Sequence, residues 1–285
     1  MTALLSDLML PLQFPFMRNA YLAAILIAPA AAMLSCFLVL KGWALMGDAA
    51  SHATVPGVVV AWLLGWPYVV GGFLAAMACA LAVGFVADNS RIKTDTVMGV
   101  VFSGMFAGGI VLHIALGTGI HLDHVLFGNT LGIEPSELWI SGIIGVAVAG
   151  LLALKWRDWL LHSFDPVQAR ASGLRTGWLH YGLLAMLSAV IVAMLASIGM
   201  VLAIGLLIAP GAIAFLLVRR FQDMLPVAVA VCLGAMLAGV HLSFYLDSAP
   251  APTIVLILTA IFLIALARRQ MLTRAQPAKG SSGRS

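Results

Sequence analysis

Long apolar runs separated by short polar interruptions dominate the chain. They stand at 20–40, 44–64, 68–87, 96–116, 137–155, 178–197, 200–218, 226–246 and 252–268. Each is close to the roughly 20 residues a helix needs to cross a bilayer with every backbone N–H and C=O satisfied inside the segment. The pattern predicts an all-α, polytopic bundle of eight or nine transmembrane helices. Two joints set that range. At Lys41-Gly42-Trp43 the first two runs read either as two spans or as one span plus a broken one, and the joint at Ala196-Ser197-Ile198-Gly199 is tight.

Two Pro-Gly pairs, Pro56-Gly57 and Pro210-Gly211, fall inside runs in the two halves of the chain. Proline removes an i→i−4 hydrogen bond and glycine permits close backbone approach, so both are expected as helix breaks. Corresponding breaks in two halves point to a transporter's binding region; ordinary kinks of a membrane bundle account for them equally well. The longest inner interruption, 156–177, contains Phe164-Asp165-Pro166, then Ala169 and Gly173. It reads as a short surface helix, with Asp165 as N-cap, Pro166 at the first helical position and Gly173 as the stop.

Composition turns the pattern into a class. The chain is 62% hydrophobic and 9% charged, against about 25% charged in an ordinary soluble domain, which leaves little room for a soluble domain. The net charge of +4 is too small to imply nucleic acid, but its distribution is informative. With nine spans and a cytoplasmic C-terminus, all of the 15 Lys and Arg except Arg18 fall on the inner side, as the positive-inside rule requires. Residues 1–17 are expected as an interfacial lead-in rather than a secretion signal, 18–270 as the membrane domain and 271–285 as a disordered cytoplasmic tail. Cys36, Cys79 and Cys232 sit in apolar runs without CxxC spacing and read as packed thiols.

The chemistry concentrates in MGDAASHATVPG, where Asp48 and His52 stand at i, i+4. On a helix they share one face and can reach one ion. Ionisable residues in a span are costly and mark cavities or partners. Carboxylate oxygen with imidazole nitrogen suits Mn²⁺, Fe²⁺ or Zn²⁺, with positions left for other ligands. The alternative is that Asp48 caps a helix start and His52 bonds a neighbour. His121, Asp123 and His124 in one outward loop, and Asp247 with His241 near the other, form a candidate outer gate for a divalent cation, or simply polar loops. No GxxxxGK[ST] stretch is present, so no phosphate cradle for ATP is expected in this chain.

Six stretches in order, LKGWALMGDAASHATVPGV, RIKTDTVMGVVFSGMFAGGIVL, LDHVLFGNTLGI, FDPVQARASGL, IGLLIAPGAIAFLL and SFYLDSAPAPTIVL, resemble the permease family of ABC importers for manganese, zinc and iron. The wording is closest to the manganese and manganese/iron branch. The resemblance implies a type II, cobalamin-importer-like permease in the bacterial inner membrane, with no resident cofactor and the metal as cargo. It implies three kinds of partner: a separate ATPase subunit, a periplasmic or lipoprotein metal-binding protein, and a second permease chain, identical or homologous. By the same resemblance Asp48 and His52 contact the ion, and Phe164, Asp165, Pro166, Ala169 and Gly173 form the helix that couples to the ATPase. The His-rich cytoplasmic loop of some zinc permeases is absent. The competing expectation is a proton-coupled secondary transporter or channel working without an ATPase.

Overall fold

Proline opens the first span. Pro15 occupies the first helical position of α1 (Pro15–Lys41), behind an extended Phe14, where its missing N–H leaves no intrahelical bond unmade. The computed structural model describes residues 10–117 and 132–274. After a 3₁₀ turn at Leu10–Gln13 and α1 come α2 (Met46–Leu64), α3 (Tyr68–Asn89), α4 (Thr94–Leu116), α5 (Pro135–Phe164), the short α6 (Pro166–Ala171), α7 (Thr176–Ile198), α8 (Met200–Leu217), α9 (Phe221–Leu246) and α10 (Pro250–Arg274).

Both uncertain joints separate helices. Gly42, at φ 69°, ends α1, and Gly199, at φ 80°, divides α7 from α8. Among the described residues, eight helices are long and apolar enough to cross a membrane. The ninth long helix, α2, falls short because Asp48, Ser51, His52 and Thr54 occupy its first turns. Its 19 residues still give a length of about 28 Å at 1.5 Å per residue, close to the thickness of the hydrocarbon layer.

Contacts between distant residues define the two ends of the bundle. At one, Lys41 meets His162, Trp43 meets His180, Phe37 and Trp156 meet Phe221, and Arg269 reaches the carbonyl of Phe215. At the other, Tyr21 meets His241, Phe14 meets Phe244, and Asn19 reaches the carbonyl of Ile133. The basic helix ends therefore gather on one side. α1 runs through the middle of the bundle, packed on α5, α7, α8 and α9. Its alanine-rich stretch is buried from Ala20 to Ala32 at most positions, and small residues of this kind let membrane helices approach closely. α2 lies among α3, α4, α7 and α8, while α4 packs on α2 and α3 at the edge and is mostly uncovered.

The structure corrects several expectations. Pro56 and Pro210 do not break their helices: α2 and α8 run through both. The two Pro-Gly pairs are close crossings instead. Gly57 and Gly71 of α3 face each other so closely that a Cβ on either would strike the other's carbonyl oxygen. Gly109 of α4 sits against the Pro56 ring, where an added Cβ would lie 2.8 Å from Cδ. Gly211 lies against Ser35 of α1, whose hydroxyl accepts from the Gly211 N–H at 2.9 Å and donates to the Ile208 carbonyl at 3.1 Å.

The ends of the expected units shift as well. α1 starts inside the anticipated 1–17 lead-in, and α10 continues past 270 to Arg274. The remainder of the lead-in, 1–9, and of the tail, 275–285, lies outside the described residues. Nor is 156–177 all loop: α5 kinks at Lys155, at φ −118° and ψ 25°, and continues as helix to Phe164. The three cysteines are buried and free, and the Cys36 and Cys79 thiols point at the carbonyls of Met224 and Ala49.

Candidate metal-transfer site

The first two turns of α2 divide their polar residues between two faces. Ser51 and Thr54 are buried and bond back along the helix, to the carbonyls of Gly47 at 2.7 Å and Ser51 at 2.6 Å. Asp48 and His52 lie on the other side, with 29% and 23% of their side chains exposed. Asp48 does not cap the helix. Leu45 holds the N-cap position without a side-chain cap bond, and Asp48 falls inside the first turn, where a carboxylate suits the positive end of the helix dipole.

His52 Nε2 and Asp48 Oδ1 are 3.3 Å apart. Two ligand atoms that far apart, each about 2.1 Å from one ion, subtend an angle of about 100° at it. That angle lies between octahedral and tetrahedral values, so the separation is compatible with one divalent ion between the two atoms. The His52 ring stacks on Phe102, with centroids 5.5 Å apart and planes at 28°, and meets Phe106 edge-on at 5.1 Å and 81°. Both phenylalanines belong to α4. One turn further along α2, Pro56 has no N–H to give the His52 carbonyl. Among the described residues no group of three or more His, Cys, Asp or Glu is placed to hold an ion.

The other candidates are placed as follows. His121, Asp123 and His124 lie outside the described residues. Asp247 is exposed and ends α9 at φ 48°, while His241 points Nδ1 at the Tyr21 hydroxyl, 2.8 Å away.

At the basic end, Asp165 caps α6: its Oδ1 accepts from the N–H groups of Val167 and Gln168, both at 2.9 Å. Pro166 follows at the first helical position. The helix closes with the N–H of Leu174 on the Ala169 carbonyl and that of Gly173 on the Arg170 carbonyl, with Gly173 at φ 80°. This is the double bond pattern of a glycine-terminated helix. Ala169 is buried, whereas Val167 on α6 and Phe164 at the end of α5 are 80% and 68% exposed, so this corner seats one small side chain and presents two large apolar ones outward.

One cluster was not anticipated from spacing. Lys41 lies 3.5 Å from His162 Nε2 and 4.2 Å from the Trp43 ring centroid, and His180 packs against both Trp43 and His162. The cluster ties the end of α1 and the link to α2 to the extension of α5 and the start of α7. Its members are too far apart in sequence for any motif; the only signal was polar residues recurring at one end of successive spans.

The sequence profile of the ABC 3 transport family matches residues 13–269. The chain is 49% identical over 270 residues to the chelated iron transport system membrane protein YfeD of Yersinia pestis, covering 93% of this chain and 90% of that protein. It is 41% identical over 255 residues to the manganese transport system membrane protein MntC of Halalkalibacterium halodurans, covering 89% and 87%. Among solved structures, PsaBC from Streptococcus pneumoniae in complex with Fab superposes with a TM-score of 0.83 at 30% identity, over 97% of this chain and 100% of that one. A helical membrane bundle matched along nearly its whole length by the profile, these relatives and a solved fold belongs to the ABC 3 transport family, as a multi-pass membrane permease.

Proposed function

We propose that this permease moves a divalent transition metal, Mn²⁺ in the first place and Fe²⁺ next, into the cytoplasm across the bacterial inner membrane, with Asp48 and His52 as the transient contact for the ion. The observation that carries the reading is the 3.3 Å separation of Asp48 Oδ1 and His52 Nε2 on an incompletely covered face of α2. A carboxylate oxygen with one imidazole and no thiolate is a donor set that accepts Mn²⁺ and Fe²⁺, as it does Zn²⁺. The manganese and iron named for MntC and YfeD agree with placing Mn²⁺ and Fe²⁺ first.

The chain lacks a phosphate-binding loop, so a separate ATPase supplies the energy, gripping the exposed side of α6 with the C-terminus on the same cytoplasmic side. A metal-binding protein delivers the ion at the opposite end. A second permease chain packs on the α4 side, where Gly104 and Gly108 have open space beside them, and brings further ligands. Two ligands per chain hold the ion weakly, which suits a relay: a full rigid cage would not release it. ATP turnover shifts α6, the bundles rock, and the ion passes inward.

The test is uptake of radioactive manganese by proteoliposomes containing the assembled transporter. Asp48→Ala and His52→Ala are each expected to abolish uptake while the subunits still co-purify. Wild-type uptake by either variant would remove the site.

A further inference from the structure

His52 is held by rings where a metal-binding histidine is ordinarily held by a hydrogen bond. In most metal sites the ring nitrogen off the ion donates to a carboxylate, a carbonyl or water, and that bond fixes the ring and raises its basicity. Here Nδ1 of His52 is buried with no hydrogen-bond partner, while Nε2 faces Asp48. With Nε2 on an ion, Nδ1 carries the proton and no acceptor receives it. What surrounds the ring is α4: Phe102 against its face and Phe106 against its edge. The two are four residues apart and so share one face of α4. Together they form a corner that stops the imidazole from turning. The corner is anchored to α2 through the contact of Gly109 with the Pro56 ring.

We infer that Phe102 and Phe106 are positioning residues for metal transfer: they aim His52 Nε2 at the ion's place beside Asp48 without strengthening it as a ligand, so that the pair takes an ion and gives it up. The inference rests on the metal reading of Asp48 and His52. An aromatic corner restricts rotation as a hydrogen bond does, but draws no electron density into the ring. The ligand is therefore oriented and still weak, as a stepping stone requires.

The experiment uses the complete transporter with Mn²⁺ as probe, read in two ways: nitrogen coupling to the bound ion in pulsed electron paramagnetic resonance, and radioactive uptake with ATP hydrolysis measured in parallel. The wild type is expected to show imidazole coupling, and His52→Ala to lose it. Phe102→Leu and Phe106→Leu are expected to lose most of the coupling and about ten-fold of the uptake, the scale on which removing an outer support of a metal ligand acts, with metal-free ATP hydrolysis and subunit assembly unchanged. Phe102→Tyr and Phe106→Tyr, which keep the rings, are expected to retain both signals. Phe→Met at each position gives a flexible second variant of similar volume should a leucine variant not assemble. Full coupling and uptake in the ring-less variants, with His52→Ala silent, would overturn the positioning role and leave the site standing. Full coupling in His52→Ala would overturn the site itself.

Discussion

Ser35 ties α1 to α8 beside Pro210. The Ser35 hydroxyl, reaching across from α1, accepts from the Gly211 N–H and donates to the Ile208 carbonyl. Ser35→Ala removes two hydrogen bonds from a buried crossing. The expected cost is about 1 to 3 kcal/mol, toward the lower end because interhelical bonds in membranes average under about 1 kcal/mol. A lowered unfolding midpoint of the purified permease in detergent is the expected result; an unchanged one would show that the crossing repairs itself. At this scale the sequence was readable where chemistry is local. Asp48 and His52 announce themselves by a spacing of four in an apolar run. Ser35, Phe102 and Phe106 do not, because one serine or phenylalanine among many looks like packing until the fold brings α1 to α8 and α4 to α2.

α6 is six residues long, too short to hold itself in water without caps. Asp165→Ala removes both side-chain cap bonds and costs the helix about 1 kcal/mol, so metal-stimulated ATP hydrolysis by the assembled transporter is expected to fall. Asp165→Asn keeps an equivalent cap and is expected to stay near wild type. If the two variants fail alike, the carboxylate contacts the ATPase directly and the cap is incidental. The ends of this helix were legible because Asp-Pro and a trailing glycine have local geometric causes. The extension of α5 beyond Lys155 was not, since residues 156–164 mix charge with tryptophan and leucine and carry no span-length apolar run. The Pro-Gly pairs were visible, but their effect was misjudged. Local sequence shows the proline but not its packing, and here Gly71, Gly109 and Ser35 lie close against two helices that run through their prolines.

For the whole molecule, hydropathy and basic-residue placement carry most of the architecture, because a bilayer allows few alternatives. Among the described residues, the one long helix that falls short of span hydropathy is α2, the helix bearing the proposed site. The central claim is that Asp48 and His52 touch the transported ion. It is tested most directly by determining the structure of the assembled transporter with Mn²⁺ and locating the metal by anomalous scattering. The account predicts a peak about 2 Å from both Asp48 Oδ1 and His52 Nε2, in the passage between two permease chains. A peak elsewhere, with these two side chains turned away from that passage, would contradict it.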